Sequence, residues 1–68
     1  MAAGYGLKRN REDCGITQDE LAQESRTPLD ELRGIESGDP TDHHTMQNLR
    51  DAIDVIVKRK NTELRLAS

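Results

Sequence analysis

The chain has 68 residues, a net charge of −3 at neutral pH, one aromatic residue and one cysteine. That length allows a single small domain near the lower limit of what one core stabilises, and one cysteine rules out an internal disulfide. Ten basic against thirteen acidic side chains exclude nucleic-acid binding by bulk charge attraction, so any such binding must rest on a local patch.

Leu, Ile and Val supply 13 of the 68 residues and Phe none, just under the roughly 20% at which disorder becomes a concern. The modest net charge and the recurrence of apolar residues at helical spacing favour a small all-α fold, with self-association as the route to further burial. No apolar run approaches the roughly 20 residues that span a bilayer, and MAAGYGLKRN lacks a signal-peptide core. A soluble, cytoplasmic protein without membrane contact is expected, and the lone cysteine fits a reducing compartment.

Taken in order, residues 1–6 hold two glycines and no periodic pattern, and read as a flexible lead with Tyr5 packing at the edge of the fold. A first helix is expected over Leu7–Cys14: Leu7 and Arg11 stand four apart on one face, and Gly15 supplies the C-terminal cap. Lys8 and Arg9 fall on its solvated side, within reach of a phosphate. Thr17 is an N-cap, and Glu20 three residues on completes a capping box. A second helix then runs from Gln18 to Ser25 with Leu21 and Ala22 as its apolar face.

The third helix is expected over Pro28–Ser37. Thr27 can cap it, Pro28 fits the first helical position, and Asp30 sits in the first turn, where negative charge is favoured. Leu32 and Ile35 form its buried stripe and Gly38 its stop. Helices this short are marginal alone, and the small Ala22 lets the two cross closely at a steep angle. After a loop, Asp39–Thr41, either Thr41 or Asp42 caps a fourth helix, in which Met46, Leu49, Ala52, Ile53 and Ile56 follow helical spacing.

Two readings of the tail stay open. Val55, Ile56 and Val57 are β-branched and alternate as a short strand would, whereas Ile53, Ile56, Val57 and Lys60 equally continue the helix. Leu64 and Leu66 suggest a second strand or a docked end. Lys58, Arg59 and Lys60 form the one basic cluster, suited to phosphates or to guarding an apolar strand against aggregation. His43 and His44 are adjacent, point apart on a helix and share no ligand spacing with Cys14, so no metal is expected. With no nucleophile and base at a motif spacing and no glycine-rich phosphate loop, neither an enzyme nor a cofactor is expected.

Gly15, Ile16, Thr17 and Gln18, then Glu20, Leu21 and Ala22, then Ile35, Glu36 and Gly38 form a pattern that resembles the Cro and phage-repressor type of helix-turn-helix DNA-binding domain. Leu7 and Arg11 upstream and Thr45, Met46, Leu49, Ala52 and Ile53 downstream fit it too, so the resemblance covers roughly residues 7–55. It implies a repressor-like domain of four to five helices over residues 7–56, with residues 57–68 as a tail. In that family the residue at Arg11 pairs with the glutamate at Glu36, and the residue at Gln18 contacts the DNA backbone. The chain departs from the family at the turn, where Ser25, Arg26 and Thr27 replace an apolar residue, a glycine and a second apolar residue. An arginine in a left-handed conformation there costs about 1 kcal/mol more than glycine.

The resemblance implies a dimeric, sequence-specific transcriptional regulator on double-stranded DNA, its two third helices entering successive major grooves about 34 Å apart. Candidate DNA contacts are Gln18, Thr27, Leu29, Asp30, Glu31 and Arg33: carboxylates can accept from cytosine, Arg33 can bind guanine, and Leu29 can touch a thymine methyl. Some repressors and antitoxins of this family follow the last core helix with a strand that pairs across a two-fold axis, which would make Val55, Ile56 and Val57 a dimer contact. Two carboxylates on the third helix support the alternative of a helix-turn-helix turned to protein binding, as an adaptor or anti-repressor whose acidic helix docks on a basic partner.

Overall fold

A computed structural model describes the backbone of residues 3–67 and the side chains of residues 6–62; the reading of Tyr5 as an edge residue lies outside the described side chains. Among the described residues there are four helices and no strand: α1 (Ala3–Asp13), α2 (Gln18–Ser25), α3 (Leu29–Glu36) and α4 (His43–Ala67). The all-α expectation is borne out.

Local chemistry explains most of the boundaries. The helix of α1 starts at Ala3, four residues earlier than the glycine-rich lead suggests. It ends where Gly15 takes φ +70, letting the amides of Gly15 and Ile16 reach back to the Glu12 and Arg11 carbonyls. At α2 the capping box is complete: the Glu20 amide donates to Thr17 Oγ1 and the Thr17 amide donates to Glu20 Oε1, each at 3.1 Å. That bond to the Thr17 amide is the main reason the Glu20 carboxyl titrates below its ordinary range. Asp42 caps α4, with its Oδ1 accepting from the Thr45 amide at 2.6 Å, and the Thr45 hydrogen bonds hold this carboxyl low as well.

The start of α3 differs from expectation. Pro28, at φ −56 and ψ 139, is the N-cap itself and Leu29 the first helical residue. No side chain caps this end, because Thr27 turns inward and is buried. The tail differs more. Residues 55–57 lie within the 25-residue α4, so neither the short strand nor the second strand suggested by Leu64 and Leu66 is formed. Packing decides the matter over β-propensity: Ile56 is 4% exposed and joins the core, Val57 packs against that core, and Lys60 Nζ donates to the Gly15 carbonyl at 3.2 Å. At about 1.5 Å per residue, α4 accounts for most of the 42 Å long axis.

The core gathers Leu7 from α1, Ile16 from the first loop, Leu21 and Ala22 from α2, Leu32 and Ile35 from α3, and five residues of α4 from Met46 to Ile56. Every element contributes to one cluster, so the short α2 and α3 are held by shared burial and not by their own propensity. No helix in the described residues is long and apolar enough to cross a membrane.

Candidate nucleic-acid interface

The connection between α2 and α3 is three residues, Arg26, Thr27 and Pro28. Arg26 adopts the left-handed conformation at φ 58 and ψ 35, and its amide donates to the Ala22 and Gln23 carbonyls. It is the one non-glycine residue with positive φ among those described. The Thr27 amide then donates to the Ala22 carbonyl at 3.0 Å. From α4, Asn48 Nδ2 donates to the Ser25 carbonyl at 2.8 Å, while Ser25 Oγ donates to the Leu21 carbonyl at 2.7 Å. The end of α2 is thereby satisfied from within and from across the domain.

A buried ionic knot fixes where α3 ends. Arg11 Nε donates to Glu36 Oε2 at 2.8 Å, Arg11 Nη2 to Glu36 Oε1 at 2.9 Å, and Arg11 Nη1 to the Ile16 carbonyl at 2.8 Å. Gln18 Nε2 adds a bond to Glu36 Oε1 at 2.9 Å. Bidentate pairing with the remaining acceptors and donors engaged is the geometry in which a buried pair holds together without an orphaned charge. Burial pushes the Glu36 carboxyl up, but the hydrogen bonds from Arg11 and Gln18 and the Arg11 charge outweigh it, leaving the group below its usual range. The same hydrogen bond to Glu36 raises Arg11. One cluster therefore ties α1, the first loop, the start of α2 and the end of α3.

With Leu32, Ile35 and Glu36 buried and about 100° between successive residues, the outward face of α3 is centred on Asp30 and Gly34, flanked by Arg33 and Glu31. Asp30, Glu31 and Arg33 are exposed. Gly34 bears no side chain, yet the space is not empty: a Cβ built there would lie 2.5 Å from Asp39 Oδ2. The following loop thus lays a further carboxylate over α3, which pattern reading missed because Asp39 belongs to the loop and not to the helix.

The candidate residues separate under this geometry. Asp30, Glu31 and Arg33 share the outward face. Leu29 is half-buried and packs against the core, and Thr27 is 9% exposed, which withdraws both from a leading contact role. Gln18 has spent an amide hydrogen on Glu36. Val55 is 45% exposed, whereas Ile56 is consumed by the chain's own core, so the three tail residues do not form one patch.

Most of the basic cluster is also engaged. Arg59 Nη2 pairs with Glu24 Oε1 at 2.6 Å and Lys60 Nζ with Glu20 Oε2 at 3.5 Å, lacing α4 along α2 over an open groove. Cys14 is half-buried, with Sγ 3.9 Å from Asn10 Oδ1. Among the described residues no three His, Cys, Asp or Glu side chains converge as a metal site.

Comparisons with protein-family models, with curated proteins and with solved structures found no match. The small four-helix domain, with α2 and α3 joined by a three-residue turn, is compatible with a helix-turn-helix.

Proposed function

We propose that this chain is a helix-turn-helix domain of the Cro and phage-repressor type that binds double-stranded DNA as a transcriptional regulator, with α3 lying in the major groove. The observation that carries the reading is the mounting of α3. A three-residue turn joins it to α2, the Arg11–Glu36–Gln18 knot fixes its far end, and the face centred on Asp30 is left outward. A rigid helix with one solvated face is what groove insertion requires, and fold alone would not argue it. Lys8, near enough for its charge to act on Glu36, and Arg33 stand as phosphate or base contacts. Regulation from a near-palindromic site follows if two copies associate, and the exposed Val55 marks the side of α4 open to a second copy.

The carboxylates favour a second reading, in which α3 docks on a basic protein as an adaptor or anti-repressor. Asp30 and Glu31 on the helix and Asp39 over Gly34 oppose a polyanion unless each finds a donor. Both readings treat the chain as a binding domain and not a catalyst. Fluorescence anisotropy against a random-sequence duplex pool separates them. The DNA reading expects binding at about 50 mM salt that falls steeply by about 200 mM; no binding at the lower salt transfers the assignment to a protein partner.

A further inference from the structure

We infer that α3 reads G·C base pairs, with Asp30 taking cytosine and Arg33 guanine. This rests on the DNA-binding reading and narrows it to one class of operator.

The fold draws several candidate residues away from the reading surface. Thr27 is buried, Leu29 is drawn against the core, and the Gln18 amide is bonded to Glu36. The apolar contact for a thymine methyl is thus partly withdrawn into the core, and the Gln18 amide is turned toward Glu36 with one of its two hydrogens engaged. Asp30 remains at the centre of the outward face, with Glu31 and Arg33 at its flanks and the Asp39 carboxylate over Gly34. Asp30, Glu31 and Arg33 are in no ion pair among the described residues. The surface is therefore acceptors and one guanidinium fork.

Base edges sort sharply against such a surface. Cytosine presents an N4 amino donor in the major groove with no acceptor of its own beside it, and guanine presents the N7 and O6 acceptors that an arginine fork matches. Adenine sets its N7 acceptor next to its N6 amino group, so it suits Asn or Gln, which accept and donate at once, and it turns a lone pair toward a carboxylate. Thymine offers O4, a further acceptor. A G·C pair thus has a partner for both of its bases, whereas at an A·T pair a carboxylate that accepts from adenine N6 also meets the neighbouring N7 lone pair, and thymine offers it only O4. Asp30 and Arg33 are three residues apart, hence neighbours on the helix surface, and can address one pair or adjacent pairs. Because the carboxylates are also repelled by the phosphates, docking is tolerated only where they are satisfied. The acidic face acts as a filter against other sequences.

The test is selection of duplexes from a randomised pool by the full chain, repeated with Asp30→Asn and, as a second variant, Glu31→Gln, each checked for fold by circular dichroism. The wild type should enrich half-sites with adjacent G·C pairs at the contacted positions. D30N should exchange cytosine for adenine at one position, with a shift in preference of roughly tenfold. Enrichment of A·T pairs by the wild type, or a base preference unchanged in both variants, overturns the inference while leaving DNA binding in place. Salt-sensitive binding without any selection does the same. No binding to the pool at any salt overturns the inference together with the function on which it rests.

Discussion

Asn48 Nδ2 lies 2.8 Å from the carbonyl oxygen of Ser25, a bond between the second turn of α4 and the last residue of α2, 23 positions earlier. It supplies a donor to a carbonyl that the helix cannot satisfy itself, at the point where the chain turns toward α3. The orientation of α3 therefore depends on α4 as well as on its own turn. Replacing Asn48 with Ala should cost about 1 kcal/mol, the net value of such a bond, and should speed amide hydrogen exchange at Arg26 and Thr27 more than at Leu49. Uniform loss of protection would show instead that the bond stabilises the whole fold without fixing the turn.

Arg26 holds the left-handed conformation at φ 58, in a position where a side chain is strained. Arg26→Gly should raise stability by about 0.5 to 1 kcal/mol, the relief of Cβ strain being partly offset by the greater freedom of glycine in the unfolded chain. Urea denaturation reads the change directly, as a higher midpoint at constant slope.

The Arg11–Glu36 pair makes stability depend on acid. An unfolded glutamate titrates near pH 4.3, and the folded Glu36 carboxyl lies below its ordinary value. Its stabilisation is complete above the unfolded pKa and is lost as pH falls through the folded one. Thermal unfolding should be flat from neutral pH to about pH 5 and weaken below about pH 4. Glu36→Gln should flatten part of that acid limb while destabilising the neutral protein, since Arg11 is left buried without its counter-charge, a loss of about 3 kcal/mol.

Burial of Ile56, more than the Arg59–Glu24 ion pair, holds α4 against the rest of the fold. Ile56→Ala should cost roughly 2 to 4 kcal/mol. Arg59→Ala, which removes a partly exposed pair with Glu24, should cost less than about 1 kcal/mol and nothing at high salt. Chemical denaturation of both variants at two salt concentrations checks the order; a larger effect from Arg59 would make the lacing along α2 the principal anchor.

How much of this was legible in the sequence depends on the range of the interaction. The Thr17–Glu20 box and the Gly15 cap are local, and their residue types announce them. Helical spacing found the buried faces of α2, α3 and the first half of α4 for the same reason. Arg11 and Glu36 are 25 positions apart, and only a family resemblance could suggest pairing them. Nothing local signals that Asn48 reaches Ser25, that Gln18 turns inward to Glu36, or that Asp39 covers Gly34, because each depends on how helices cross. Residue type alone makes Thr27 a cap and Pro28 a first-turn residue, yet burial of Thr27 moves the cap onward to Pro28. At 55–57 the side chains suit strand and helix alike, and contact with the core decided for the helix.

Docking of α3 on duplex DNA through the face centred on Asp30 leaves a residue-level signature. Amide chemical-shift mapping of the labelled chain during titration with the random duplex pool at low salt tests it most directly. Shifts should concentrate at Asp30, Glu31, Arg33 and Gly34 and at the start of α2, with little change along the solvated side of α4. Shifts confined to α4, or none at all, would contradict docking through this face.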